Sequence, residues 1–310
     1  MPRLAAIDIG TNSALLLVAD CTPDGQIHPV VDREIITRLG DGLVHTGSLK
    51  PDAMQRAQTA IAGYILSARE NGAEKIMLTG TSAVREASNR VEFLSEVTAT
   101  HDIEMQVLSG ETEAEWTFWG ALSNKPELAA DLLMVDIGGG STEVIYGSNT
   151  GIQQAVSLPL GSVRLSDRFK RSDPIQETDL LELQEHIRGL LRGQLAGWPR
   201  SPVHLVGIAG TVTTLAAMNL DLDPYDGARV DGHFLSRAAL AVLGETLRSR
   251  TVAEIAGMPG IAAARAPVIV AGAVILLEIM DCFEMDQVLV SDRGLRYGVL
   301  RAFLKDQGHY

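Results

Sequence analysis

A short motif occurs twice in this chain and constrains its fold more than any other feature. Residues 7–13 read IDIGTNS and residues 135–141 read VDIGGGS. In each copy an apolar residue precedes Asp-Ile-Gly and a serine stands five positions after the aspartate. Each copy is followed by a run rich in β-forming residues, ALLLVAD or TEVIYGS. The distance in sequence between the two copies is far longer than the period of short-repeat arrays. We therefore interpret the pair of motifs as the duplication of a whole domain.

The run after each motif alternates polar and apolar residues or is rich in β-forming residues. Each motif is therefore predicted to be a tight turn between two strands. P-loops and dinucleotide-binding fingerprints differ, because they place their Gly-rich turn before a helix. Elsewhere helical and strand patterns alternate, including a helix over 51–72 and one helical stretch over SAVREASNRVEFLSEVTAT. We therefore expect an α/β fold in two related halves with a cleft between them. Segment 123–131 is the expected junction between domains 1–125 and 126–310, with the last helix, about 294–310, able to pack back on the first domain.

Composition narrows the class of partner. The chain has 310 residues and a formal net charge of −13, so it is a poor generic binder of nucleic acid or anionic lipid. Its two cysteines, Cys21 and Cys282, have no metal-site spacing and suit a reducing cytosol. Its N-terminus does not read as a signal peptide, and the most apolar stretch, 266–277, is too short to span a bilayer. We expect a cytoplasmic protein with neither a nucleic-acid nor a membrane partner.

The segment DIGGGS is typical of a phosphate cradle. Backbone amides in Gly-rich turns converge on anions, and only small residues permit that approach. Gly139, Gly140 and Ser141 would offer the amides, and Asp136 precedes them at the strand end. Because a carboxylate repels phosphate unless a cation lies between them, we expect Mg²⁺ held through water by Asp136. The alternative is a β-turn that only needs a positive φ angle.

Two further stretches indicate anion sites at helix N-termini. In VGIAGTVTTLAAM (206–218) an apolar strand ends in Gly-Thr, so Gly210, Thr211 and Thr213 could bind phosphate through unpaired amides and the helix dipole. The alternative is an ordinary threonine N-cap. The stretch TGTSAVREASN (79–89) has the same form and carries Arg85, which is otherwise an exposed surface residue.

Charged residues supply the remaining candidates. The stretch LSGETEAEW places Glu111, Glu113 and Glu115 in the first turns of a helix, as candidate bases or simply as residues that favour the helix dipole. The basic run VRLSDRFKR (163–171) is either a track for a polyanion or a solvated helix face. The histidines show no ligand spacing, and no GxSxG or HExxH occurs, so acyl transfer and zinc hydrolysis have no support.

Taken together, these stretches resemble a known family. The two DIG turns are similar to the phosphate loops of the actin-like ATPase and sugar-kinase superfamily. Within it, the chain closely resembles the exopolyphosphatase / guanosine pentaphosphate phosphohydrolase family. The matching stretches, in the family order, are AAIDIGTNSALLLV, TGTSAVREASN, VLSGETEAEW, LMVDIGGGSTEVIYG, SLPLGSVRL, GIAGTVTTLAA, GMPGIAAARAPVIVAGAVILLEIM and VSDRGLRYGVL.

The resemblance implies two duplicated actin-like (ribonuclease H-like) domains that close over the substrate. The reaction would be hydrolysis of the terminal phosphoanhydride bond of polyphosphate, or conversion of pppGpp to ppGpp. Glu113 would orient the attacking water, and Asp136 would belong to the catalytic loop that holds Mg²⁺. The implied phosphate contacts are Asp8, Thr11, Asn12, Ser13, Arg85, Gly138, Gly139, Gly140, Ser141, Gly210, Thr211, Thr213 and Arg265. Homodimers are common in the family.

The chain departs from the family pattern at two positions. Leu15 stands where relatives often carry Arg or His, and Pro267 stands where many carry Asp. Its length matches the short, two-domain form. Two other functions remain open on the sequence: an actin-like sugar kinase, and a non-catalytic protein that binds (p)ppGpp or another nucleotide.

Overall fold

The computed structural model describes residues 1–22, 24–125, 128, 131–199 and 202–308. It confirms an α/β fold. Contacts divide the chain into two compact units: Met1–Pro126 together with Arg293–Tyr310, and Glu127–Asp292. We call these the first and second units. Part of the expected junction at 123–131 lies outside the described residues.

The first unit is built on a five-stranded sheet. Its strands are β1 (Arg3–Ile9), β2 (Ser13–Cys21), β3 (Ile27–Ile36), β4 (Lys75–Gly80) and β5 (Met105–Val107). The order across the sheet is β3-β2-β1-β4-β5. The first three strands are antiparallel neighbours, whereas β4 and β5 run parallel to β1.

Six helices complete the first unit in its described residues. They are α1 (Leu43–Thr46), α2 (Pro51–Glu70), α3 (Ser82–Glu86), α4 (Arg90–His101), α5 (Gly110–Ala121) and α13 (Leu295–Asp306). A short 3-10 helix, Leu122–Asn124, follows α5. The single helical stretch expected after Ser82 is wrong, because the backbone at Ala87 is extended. Asn89 is instead engaged in two side-chain hydrogen bonds with the Leu49 backbone, a tertiary contact that local sequence does not reveal.

The second unit is built on a six-stranded sheet. Its strands are β6 (Leu132–Ile137), β7 (Thr142–Ser148), β8 (Gly151–Leu158), β9 (His204–Ile208), β10 (Phe234–Ser236) and β11 (Gln287–Val290). The order is β10-β11-β9-β6-β7-β8. Strands β8-β7-β6-β9-β11 repeat the order and the directions of β3-β2-β1-β4-β5. The duplicated topology confirms the interpretation of the repeated motif.

The second unit carries seven helices in its described residues. They are α6 (Ser162–Phe169), α7 (Glu177–Gln194), α8 (Ala209–Asn219), α9 (Gly227–Val230), α10 (Arg237–Arg248), α11 (Val252–Ala256) and α12 (Ile269–Cys282). A 3-10 turn, Ala263–Arg265, precedes α12. No helix in the described part of the chain combines the length and apolar character that crossing a bilayer requires.

Each unit has its own hydrophobic core. One face of the first sheet packs against α2 and α4. The other face packs against α13, in a cluster that joins Leu4 and Leu17 to Leu300 and Leu304. The second unit buries a single large cluster between its sheet and the helices around α8 and α12. Each core fixes the carboxyl ends of the central strands, where the candidate residues lie.

Candidate active site: two phosphate loops and a carboxylate pair

The two copies of the motif form matched hairpin loops. Gly10 N donates to Ser13 O at 2.9 Å, and Gly138 N donates to Ser141 O at 3.0 Å. Neither glycine has a φ in the left-handed region, and a Cβ on either would meet the serine oxygen at 3.2 Å. The turn is therefore tight, and a side chain at either glycine would have to displace the serine carbonyl by a few tenths of an ångström. The alternative based on a positive φ does not apply to these two glycines.

The loop of the second unit is held from behind by α6. The first three residues of α6 donate backbone amides to the Gly138 and Gly139 oxygens at 2.9–3.0 Å. The Arg164 Nε donates to Gly140 O at 2.7 Å. In a planar trans peptide the N–H points opposite to the preceding carbonyl, so the amides of Gly139, Gly140 and Ser141 point away from α6. None of these three amides donates to another group among the described residues. Unpaired amides in a Gly-rich turn are suited to bind an anion.

The role of Arg164 was not foreseen from sequence, where it belonged to a possible polyanion track. Its neighbours in the basic run are also engaged: Lys170 pairs with Asp173 at 3.2 Å, and Arg171 pairs with Asp179 and Glu182. These three basic side chains therefore bind groups of their own unit.

Two carboxylates lie side by side beneath the second loop. Asp136 on β6 is the cross-strand partner of Glu143 on β7, which places both side chains on one face of the sheet. Glu143 is buried, and its Oε1 accepts a hydrogen bond from Ser157 Oγ at 2.6 Å. The sequence motifs do not identify Glu143 as a site residue. Its position follows from the tight turn, because pairing the strands across DIGGGS puts it opposite Asp136.

The donor set beside the second loop fits Mg²⁺. The described residues contain no group of three or more Asp, Glu, His or Cys side chains that could hold a metal ion. Mg²⁺ does not need one, because it is commonly bound by one or two carboxylates together with waters and substrate phosphates. Asp136 and Glu143 supply two carboxylates next to a loop whose amides suit phosphate.

The third predicted loop is a strand–helix turn between β9 and α8. Ala209 adopts a positive φ of 65°, a strained conformation for a residue with a Cβ. No side chain caps the N-terminus of α8, so the threonine N-cap alternative is not observed. The Thr213 hydroxyl is engaged within the helix, donating to Ala209 O at 3.2 Å. The amide groups that start α8 remain suited to an anion.

Arg265 packs directly onto this turn. A Cβ on Gly210 would overlap the Arg265 guanidinium, and a Cβ on Gly272 would overlap the Thr211 methyl group. Arg265 itself is buried. Gly210 thus allows the Arg265 guanidinium to approach the α8 N-terminus, and Gly272 allows α12 to approach Thr211. The structure brings together Gly210, Thr211 and Arg265, which lie far apart in sequence.

In the first unit, Asp8 lies at the end of β1, where it is 7% exposed. Its Oδ1 accepts a hydrogen bond from Thr79 Oγ1 at 3.3 Å. Burial raises the pKa of the Asp8 carboxyl to about 6, and the charge of Arg296 and the Thr79 hydroxyl only partly oppose that rise. Arg296 reaches this region from α13, donating to Leu16 O at 3.1 Å and to Asp32. No signal in the sequence pattern identified Arg296.

The first loop is held from behind by the segment after β3. Thr11 O accepts from Gly40 N at 2.9 Å, and Asn12 O accepts from Thr37 N and Arg38 N at 3.0 and 2.8 Å. Thr11 and Asn12 are both buried, whereas Ser13 starts β2 and is half-buried.

Arg85 and Glu113 form an ion pair in the first unit. Arg85 Nη1 lies 2.8 Å from Glu113 Oε2 and also donates to Leu108 O at 2.8 Å. Ser109 caps the helix that carries Glu113, accepting from Thr112 N. Glu113 is buried, whereas Glu111 and Glu115 are exposed. Of the three glutamates, Glu113 alone is held in place by a guanidinium in the described part of the chain.

Comparisons with known proteins agree with one another. The model of the Ppx/GppA phosphatase family matches residues 17–307. Exopolyphosphatase 2 of Mycobacterium tuberculosis is 33% identical over 321 residues, covering 96% of this chain and 98% of that protein. A putative exopolyphosphatase of Haemophilus influenzae is 28% identical, covering 98% and 92%.

Solved structures give the same result. The Ppx/GppA family member of Aquifex aeolicus is similar with a TM-score of 0.83 at 30% identity, covering 100% of this chain and 99% of that one. An exopolyphosphatase from Cytophaga hutchinsonii is similar with a TM-score of 0.90 at 29% identity, covering 98% of both chains. The chain belongs to the Ppx/GppA phosphatase family.

Proposed function

We propose that this protein hydrolyses the terminal phosphoanhydride bond of inorganic polyphosphate and releases orthophosphate. The similar proteins named exopolyphosphatase favour polyphosphate as the substrate. The observation that carries the proposal is the loop of the second unit. Its carbonyls are engaged by α6 and Arg164, which leaves the amides of Gly139, Gly140 and Ser141 for an anion.

The loop amides and Arg265 stabilise charge on the phosphoryl group. Preorganised donors of this kind are worth most where negative charge develops in the transition state. The amides of the second loop and the start of α8 donate to phosphoryl oxygens, and Arg265 adds a buried positive charge. Asp136 and Glu143 are the residues that would hold Mg²⁺. When bound there, Mg²⁺ would neutralise charge on the phosphoryl oxygens.

Glu113 accepts a hydrogen bond from the attacking water and orients it toward phosphorus. The ion pair with Arg85 fixes the position of its carboxylate, with one oxygen 2.8 Å from Arg85 Nη1. Arg85 therefore positions the Glu113 carboxylate. We propose that Arg85 also contacts the substrate phosphate when the substrate binds. The first loop, with Asp8, Thr11, Asn12 and Ser13, completes the phosphate contacts.

Replacing Glu113 by Gln tests the assignment. Loss of a general base costs about 10²–10⁴-fold in rate, so we expect kcat for phosphate release from polyphosphate to fall by that range. Glu115→Gln is the matched control, because Glu115 is exposed on the same helix. We expect it to retain the parent rate. A Glu113→Gln variant that releases phosphate as fast as the parent would show that Glu113 does not orient the water.

Polyphosphate and pppGpp share the same terminal bond, so the loops alone do not distinguish them. Phosphate release from both substrates, measured side by side, gives the preference as a ratio of kcat/KM values. ATP consumption that depends on an added sugar would instead indicate a kinase. Nucleotide binding without turnover would indicate a sensor.

A further inference from the structure

The two phosphate loops differ in which backbone amides donate hydrogen bonds to their carbonyl oxygens. In the second unit a regular helix, α6, donates to the loop oxygens through three consecutive amides. In the first unit the corresponding donors come from the irregular segment 37–40 that follows β3. The second loop is therefore held in one shape by a helix, whereas the first is held by a less regular backbone.

Polar side-chain atoms of the first loop and of the segment behind it have no hydrogen-bond partner among the residues that the structure describes. Thr11 Oγ1, Asn12 Oδ1 and Thr37 Oγ1 are buried, and none has a hydrogen-bond partner among the described residues. Thr37 is 1% exposed, and Thr11 and Asn12 are each 6% exposed. A buried hydroxyl or amide without a partner costs free energy, so three of them around one loop indicate a conformation that is not fully satisfied.

The backbone of the same segment is strained. Arg38 has a positive φ of 49°. Its backbone amide donates a hydrogen bond to Asn12 O, which also accepts one from Thr37 N. A Cβ on Gly40 would overlap the Thr11 methyl group, so the segment is pressed closely against the loop. Backbone strain of this kind persists at ligand-binding and switch regions, where a bound state relieves it or uses it.

We propose that Thr37 is a positioning residue that adjusts the first loop when phosphate binds. In the phosphate-bound loop the Thr37 hydroxyl donates to Asn12 Oδ1, and this bond turns the Asn12 amide nitrogen toward phosphate. Thr37 and Asn12 are already joined through Thr37 N and Asn12 O at 3.0 Å, so only the side chains need to rearrange. The inference rests on the proposed function in that it assumes a phosphate ligand at this loop.

The test compares Thr37→Val with Thr37→Ser, using inorganic phosphate as the ligand. Valine has the shape of threonine without the hydroxyl, and serine keeps the hydroxyl. Because the Thr37 hydroxyl has no hydrogen-bond partner among the described residues, we expect Thr37→Val to melt at or above the parent temperature when phosphate is absent. We expect its phosphate affinity, from titration calorimetry, to fall about fivefold to tenfold, as loss of one hydrogen bond would cause. Thr37→Ser should restore the parent affinity.

Thr79→Val is the matched control for stability. Thr79 is also 1% exposed, but its hydroxyl is hydrogen-bonded to Ile7 O and Asp8 Oδ1. Its loss should lower the melting temperature without phosphate, the opposite of Thr37→Val. A Thr37→Val variant that is destabilised without phosphate, or that binds phosphate like the parent, would overturn the inference. So would a parent protein that does not bind phosphate.

Hydrolysis of polyphosphate is measured separately. If the parent binds phosphate and Thr37→Val weakens that binding, the inference stands even where polyphosphate is not cleaved, and the proposed function alone fails. If the parent cleaves polyphosphate and Thr37→Val changes neither phosphate affinity nor KM, the inference alone fails.

Discussion

Gly161 offers a sharp test of how the second loop is built. The residue precedes α6 with φ −109° and ψ 148°, an extended conformation that any residue adopts. Alanine is therefore not excluded by backbone conformation. It is excluded by space, because a Cβ at this position would overlap the carbonyl group of Gly139 and the carbonyl carbon of Gly140.

The size of the effect follows from what the Cβ meets. Carbon atoms prefer separations near 3.5–4 Å, so the loop or α6 would have to move by about 1 Å. Neither can move alone, since the first amides of α6 are hydrogen-bonded to the Gly138 and Gly139 oxygens. Overpacking of this kind costs about 1–3 kcal/mol. A displacement of about 1 Å at a catalytic site costs about 10²-fold in rate.

We therefore expect Gly161→Ala to lower Tm by about 3–10 °C and kcat/KM for polyphosphate by about 10²-fold. The control is Gly189→Ala, because Gly189 is exposed in α7 and a Cβ there would meet nothing within 4 Å. That variant should be more stable by about 0.5–1 kcal/mol, with unchanged activity. The assays are scanning calorimetry and phosphate release below both melting temperatures. Parent-like Tm and kcat/KM in Gly161→Ala would refute the close contact between α6 and the loop.

Three further predictions concern other parts of the two units. Gly210→Ala would meet the flexible end of Arg265, so we expect a near-parent Tm but about tenfold weaker phosphate binding by calorimetry; a stable variant with parent affinity would contradict a role for Arg265. Glu143→Gln keeps the hydrogen bond with Ser157 and removes a negative charge beside Asp136, so we expect Mg²⁺ to bind about 10–100-fold more weakly in titration calorimetry, and unchanged Mg²⁺ affinity would argue against this site. Because burial raises the pKa of Asp8 from 3.8 to about 6, the folded state binds this proton more tightly than the unfolded state, and the free energy of unfolding falls as pH rises from about 4 to above 6. Asp8→Asn removes that loss. In urea unfolding, the free energy of unfolding of the variant minus that of the parent should therefore rise by about 2–3 kcal/mol from pH 4 to pH 8. A difference that does not change with pH would contradict the raised pKa of Asp8.

The hairpin loops were predictable because their signals are local. Glycine placement and β-rich flanks both lie within the two motifs, and the duplicated topology follows from them. Even Glu143 could have been found, since a tight turn fixes which residue lies opposite Asp136. The sequence also suggested Glu113, which the family resemblance favoured and which the structure distinguishes by burial from Glu111 and Glu115.

Other features depend on partners distant in sequence. Strand β3 is mostly exposed on both faces, so it lacks the alternation that identifies a half-buried strand, and its pairing with β2 stabilises it. The break before α4 depends on Asn89 meeting Leu49. The sequence places Arg164 either on a polyanion track or on a solvated helix face, but its partner is a loop carbonyl brought near by the fold. Such contacts between distant residues leave no periodic pattern in the sequence.

The placement of α13 in the first unit has a consequence for the order of folding during synthesis. Residues 127–292 form a unit from one continuous segment and can fold as soon as that segment has left the ribosome. The first unit cannot, because one face of its sheet is covered only when Leu300 and Leu304 reach Leu4 and Leu17. The strands that are made earlier therefore belong to the unit that finishes folding later. Until then the nascent chain exposes an apolar surface of the first unit's sheet. A partly folded chain of this kind is what a chaperone would bind.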